Sequence, residues 1–169
     1  MPLYMKPAPI DASIFSHESV LFVVCGVCPK MCMSVQQDRP YFSPGRLFGR
    51  KDFFDEYVAG LRKKFQDKGL RADVFKNKKL NSMMCLWPQN QRDLLSKHSE
   101  IFQAVAVIGC QSAVFTVKDS LRSQNKKIYP MMQVEGIANF KTKMEFPALK
   151  LEKPGGEYIV KERQLHHDK

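Results

Sequence analysis

Val20-Leu-Phe-Val-Val-Cys25-Gly-Val-Cys28-Pro-Lys-Met-Cys32 decides how the rest of the chain is read. Its first five residues are apolar and mostly β-branched, which predicts a buried strand over 20–24. Three cysteines follow at once. The pattern returns at Asn81-Ser-Met-Met-Cys85 and at Gln103-Ala-Val-Ala-Val-Ile-Gly-Cys110, each a strand-like run with a cysteine at its end. In an open parallel sheet the carboxyl ends of the strands share one rim, and ligands bind there. All five cysteines of the chain are therefore expected at one place.

Between these runs lie amphipathic stretches. Phe54, Tyr57, Val58, Leu61 and Phe65 recur at helical spacing and predict a helix over 53–68, with Asp52 as cap and Gly69 as stop. Pro88–Phe102 and Gln111–Ser123 read as two further helices. Strands are expected at 71–75, 80–84, 103–108 and 126–129. The fold class is α/β, a mainly parallel Rossmann-like sheet flanked by helices, with a C-terminal β-hairpin. Residues 1–17 read as a Pro-rich extension over the surface and 18–140 as the α/β domain. Residues 141–169 read as a hairpin about Pro154-Gly-Gly with a polar tail.

Composition narrows the function classes. The hydrophobic share of 44% and charged share of 26% are those of a globular domain. No apolar run approaches the roughly 20 residues that span a bilayer. The N-terminus lacks the features of a signal peptide, so the expected location is the cytoplasm. A reducing compartment favours thiolate–metal chemistry over disulfides, as does the odd cysteine count.

Cys28 precedes Pro29, a favoured first helical residue, and is expected at a helix N-cap. Cys32 then falls one turn on, on the same side. Cys110 precedes another predicted helix. Helix N-termini stabilise anions and lower thiol pKa values, and Lys30 would offset negative charge. Structural zinc sites draw on two close cysteine pairs. Here there is one close triplet and two remote cysteines, which favours an iron–sulfur centre. The expected ligands are Cys28, Cys32, Cys85 and Cys110 around a 4Fe–4S cluster, with Cys25 as the spare or as a substitute for Cys28. A 2Fe–2S cluster and zinc are the alternatives. A Cys-x2-Cys-x3-Cys order reverses that of radical enzymes using S-adenosylmethionine, and no four-cysteine ferredoxin run is present.

Net charge is +10, and residues 39–79 hold twelve Lys/Arg against five Asp/Glu. That surplus favours an acidic partner. Tyr41, Phe42 and Phe48 interleave with Arg46, Arg50 and Lys51, so residues 38–51 are expected to dock a partner protein. No recognised nucleic-acid-binding motif accompanies them.

Cys25-Gly-Val-Cys28-Pro-Lys-Met-Cys32 after a strand, Cys85 after a second, and Val107-Ile-Gly-Cys110-Gln-Ser-Ala-Val-Phe-Thr-Val opening a helix together resemble the cysteine-rich small subunit of bacterial methylenetetrahydrofolate reductases. Lys127-Ile-Tyr-Pro130-Met-Met with Gly136 is similar to the next segment of that family, and the resemblance spans residues 18 to 140. The iron–sulfur delta subunit of hydrogenase–heterodisulfide reductase complexes is a more distant likeness. The resemblance implies a non-catalytic electron-transfer subunit docked on a larger flavin- or metal-containing oxidoreductase subunit, or serving an acidic electron carrier. This chain lacks the family's further C-terminal cysteines, so one cluster is expected. The rival functions are a zinc-binding adaptor subunit and a thiol-based redox enzyme using Cys25 or Cys28. Trp87 is expected to be a core or interface aromatic. The methionines around the site are expected to pack it rather than ligate. His17, His98, His166 and His167 offer no Cys–His pair.

Overall fold

The computed structural model describes residues 3–43, 52–75 and 83–152, together with the backbone of Ile159–Val160. The chain opens with β1 (Leu3–Pro7), a 3-10 turn at Ala12–Ser16, and β2 (Ser19–Val24). Two helices follow, α1 (Cys28–Gln36) and α2 (Phe53–Gln66), then β3 (Arg71–Phe75). After a 3-10 turn at Met84–Leu86 come α3 (Gln89–Ser99), β4 (Ala104–Ile108), α4 (Gln111–Ser120) and β5 (Lys127–Pro130). The chain then enters β6 (Met132–Ala138), β7 (Lys141–Glu145), β8 (Ala148–Glu152) and β9 (Ile159–Val160). No helix among the described residues is long and apolar enough to cross a membrane.

β2 through β5 form one parallel sheet in the order β3-β2-β4-β5. The two central strands are the most apolar. Every residue of β4 is buried, as are the first five of β2, because helices and loops cover a parallel sheet on both faces. Pro130 closes β5, an edge strand, where its missing N–H breaks no ladder. From β2 the chain steps outward to β3, then returns across β2 to β4. The order therefore reverses between β2 and β4. Such a reversal opens a crevice beyond the carboxyl ends of those two strands, the usual ligand position in open α/β sheets.

The helices are built as their sequences dictate. Asp52 caps α2, its carboxylate accepting from the N–H groups of Phe54 (3.0 Å) and Asp55 (2.9 Å), and the chain leaves that helix through Gly69 at φ +85°. Phe65 from α2 meets Phe22 of β2 and Phe15, each at 5.0 Å between ring centroids. Phe22 and Phe65 are fully buried and Phe15 is half-buried beside them, so the three rings add apolar area to the core.

Three expectations change. Residues 3–7 do not wrap the surface. They form β1, paired antiparallel with β6, and a register shift between Tyr4 and Met5 accompanies the burial of both side chains. Cys85 does not end a strand: Met84–Leu86 is a 3-10 turn, and residues 76–82 lie outside the described residues. The hairpin is β7–β8, turning at Phe146-Pro147. Residues 153–158, with the Pro-Gly-Gly turn, lie outside the described residues, and β9 pairs with β6. β7 is exposed along four of its five residues, so it lacks the apolar alternation that would have marked it.

Candidate functional site at the carboxyl rim

The strand register carries Cys25 to Cys110. Val24 pairs with Ile108 at the last step of the β2–β4 ladder, and the Cys25 N–H extends it by donating to the Ile108 carbonyl at 2.9 Å. Gly109 makes that approach possible. A Cβ placed on it would stand 3.3 Å from the Cys25 Cβ and 2.5 Å from the Ala113 Cβ. Only a residue without a side chain lets β2 and α4 close on this corner. Cys110, next in sequence, is the N-cap of α4 and is buried.

Cys28 arrives from α1, the helix that follows β2. It is the first residue of α1; Val27, not Cys28, occupies the N-cap position. Neither helix has a side-chain cap, so the N–H groups of both first turns face the rim without a side-chain oxygen competing for them. Cys85 is brought in by the turn at 84–86. Met84 is fully buried and anchors the turn, which packs on α4, while Cys85 is exposed.

Electrostatics shows which thiols share a neighbourhood. Burial pushes the Cys25 thiol up, and charge on Cys110 or Cys85 would push it further; backbone hydrogen bonds with Met84 and Val27 oppose this. Burial likewise raises Cys28, with Cys25 the next cause and Cys110 and Cys85 smaller ones, against a backbone hydrogen bond with Leu3. A hydrogen bond that lowers a thiol's pKa favours the thiolate, so these backbone groups act as donors to sulfur. Cys25 and Cys28 thus lie within electrostatic range of each other and of Cys85 and Cys110. Cys32 differs. It is fully buried, its thiol donates to the Leu3 carbonyl at 3.1 Å, and burial pushes it up to about 11. Among the other cysteines only Cys28 acts on it.

Among the described residues, no three His, Cys, Asp or Glu side chains meet closely enough to hold one metal ion. Lys30 does not stand ready to offset thiolate charge. Its ammonium pairs with Asp52 at 2.6 Å, both groups nearly buried, and lies 5.1 Å from the Tyr41 ring centroid. Breaking such a buried pair typically costs about 3–5 kcal/mol. The pair ties α1 to the start of α2. Sequence reading found the Asp52 cap but not this second role.

The remaining candidates divide. Trp87 is buried edge-on to Phe75 at 5.9 Å, a core aromatic. Met33, Met84, Met131 and Met132 are buried in the same core. His98 is exposed and stacks near Phe102, and His17 Nε2 lies 3.0 Å from the Tyr129 hydroxyl. Arg46, Arg50, Lys51, Phe48, His166 and His167 lie outside the described residues. Sequence reading missed Gly109. Its signal was a glycine between a strand and a cysteine with an alanine, Ala113, one helical turn on.

Comparison with the models of known families, with curated proteins and with solved structures finds no match to this chain.

Proposed function

We propose that the rim holds one iron–sulfur cluster, of the 4Fe–4S type, and that the protein relays electrons within an oxidoreductase complex. One observation carries this reading: four cysteines from three separated segments gather where the strand order reverses. Thiolate is the ligand such clusters take, and the donor set fits in kind and number. In a four-iron cluster each thiolate binds a different iron, so the four sulfurs stand farther apart than around a single ion.

The ligands on this reading are Cys25, Cys28, Cys85 and Cys110, and Cys32 is the spare. Helical spacing alone favoured Cys32 over Cys25. The Leu3 carbonyl and the burial of Cys32 against β1 argue for the exchange. A bound cluster supplies one-electron transfer with no bond made in the protein. The chain's own contributions are positional and electrostatic. Strand register holds Cys25 and Cys110, two helix starts aim N–H groups at the rim, and backbone donors at Met84, Val27 and Leu3 favour thiolate and would tune the potential. A larger flavin- or metal-containing subunit would supply the chemistry, as the family resemblance implies. Raised thiol pKa values argue against a reactive-thiol enzyme, which needs the thiolate at neutral pH.

Protein purified without oxygen is expected to be brown, with about four iron and four sulfide per chain. Colourless protein with stoichiometric zinc would overturn this reading in favour of the adaptor.

A further inference from the structure

The opposite rim of the parallel sheet carries a second cluster of chemically capable groups. β5 begins with Lys127, and the 3-10 turn at Ala12–Ser16 leads through His17 into β2, so both segments lie at the amino ends of the strands. Tyr129, two residues along β5 and buried, reaches them. Its hydroxyl lies 3.1 Å from the Ser13 Oγ and 3.0 Å from the His17 Nε2. The Lys127 ammonium donates to the Ser13 Oγ at 3.0 Å and stands 5.1 Å from the Tyr129 ring centroid. The Ser13 backbone is held as well, its N–H donating to the Asp11 carboxylate at 2.8 Å.

Donor and acceptor chemistry fixes the direction of this chain. An ammonium only donates, so the Ser13 Oγ accepts from Lys127. The Ser13 proton then goes to the Tyr129 oxygen, and the Tyr129 proton to the His17 Nε2, with the ring proton of His17 on Nδ1. Each bond in such a chain polarises the next. A serine hydroxyl is a weak nucleophile until a base takes its proton, and a cation beside it favours its alkoxide. Ser13 has an imidazole at the end of its relay and an ammonium at its oxygen. The Tyr129 hydrogen bonds alone would fasten the turn to β5; the ammonium on the serine oxygen is what gives the cluster chemistry.

We propose that Ser13 is the nucleophile of a carboxylic-ester-hydrolysing site at the amino ends of the strands. The Ser13 Oγ bonds to the ester carbonyl carbon as its proton passes to Tyr129 and the Tyr129 proton passes to His17. The oxyanion that forms is stabilised by the Lys127 ammonium. The bond to the alkoxide leaving group breaks, and the proton returns from His17 through Tyr129 to release an alcohol. Water then attacks the acyl-Ser13 by the same relay and releases the carboxylic acid, so one ester and one water give one acid and one alcohol. Lys127 is exposed, and Ser13 and His17 are half-buried, so the esters it fits are those that present their carbonyl from solvent. The site shares no residue with the cysteine rim and does not depend on the cluster reading.

The test uses the full chain and two probes, p-nitrophenyl acetate and a fluorophosphonate that forms an O–P bond to an activated serine and releases fluoride. Adducts are located by peptide mass spectrometry, which separates Ser13 from the exposed Cys85 thiol. The wild-type protein is expected to be labelled at Ser13 and to release p-nitrophenol over many turnovers. Ser13→Ala is expected to lower that turnover about a hundredfold. Tyr129→Phe keeps the ring in the core, and Lys127→Met keeps the aliphatic stem. Each is expected to slow Ser13 labelling about a hundredfold. His17→Gln is expected to abolish the solvent deuterium isotope effect on labelling, a readout that loss of a merely structural hydrogen bond leaves in place. Absence of a Ser13 adduct in the wild-type protein, labelling of the Tyr129 or Lys127 variant as fast as the parent, or an unchanged isotope effect in His17→Gln overturns the proposal. The wild-type adduct is read without any variant, so that result stands even where a variant fails to fold.

Discussion

Cys25 and Cys32 are seven residues apart and both buried, yet they belong to two different regions of the molecule. Cys25 stands at the crevice between β2 and β4, where the sheet's register presses it against Gly109 and within range of Cys85 and Cys110. Cys32 stands on the flank of α1 that packs against β1, with its thiol engaged by the Leu3 carbonyl. At the rim, burial is combined with facing thiols and uncapped helix starts. On the flank it is combined with a backbone acceptor and apolar neighbours. On the proposed reading, burial alone does not separate a ligand from a structural thiol; what a thiol faces does.

The strongest break of that contrast is at Gly109. Gly109→Ala places a methyl 2.5 Å from the Ala113 Cβ. Relief requires α4 to move away from the sheet, taking Cys110 with it. Overpacking of this kind is expected to cost about 3 kcal/mol, read as a fall in the denaturant midpoint at unchanged m. Metal content is expected to fall as well, because Cys25 and Cys110 separate. A variant as stable as the parent would show that the corner is loosely packed.

A smaller effect sharpens the flank. Cys32 ionises at about 11 in the folded chain against 9.0 for an ordinary thiol. Its folded pKa is raised, so its contribution is fully present below pH 9 and is lost as pH rises through 11. The metal-free protein is therefore expected to lose stability over that window, by roughly 2 kcal/mol from this group. Cys25 and Cys28 shift in the same direction. Cys32→Ser keeps a donor for the Leu3 carbonyl and removes the titration, so its stability curve is expected to be flatter between pH 9 and 11. An unchanged slope would place the ionisation elsewhere.

What the sequence revealed follows from the range of the forces involved. β2, β4, α2 and α4 were legible because burial on both strand faces, or on one helical face, writes a pattern into neighbouring residues. Cys110 as the start of a helix was legible for the same reason. β1 and β7 were not. Residues 3–7 carry two of the signals of a surface segment, a lysine and a proline, and become a strand only because β6 supplies the ladder. Met84–Leu86 was misread because a short apolar run does not separate strand from turn. The role of Cys32 depended on β1 being in place, a contact between residues 3 and 32 that no local pattern encodes. Helical spacing correctly put Cys28 and Cys32 on one helix but said nothing of what each would face.

The most direct measurement is the iron and sulfide content of two serine variants prepared without oxygen. Cys32→Ser is predicted to keep about four iron and four sulfide per chain, while Cys25→Ser loses them, since Cys25 is within range of Cys28, Cys85 and Cys110 and Cys32 of Cys28 alone. A Cys25→Ser protein that keeps its cluster beside a Cys32→Ser protein that cannot hold one would contradict the account.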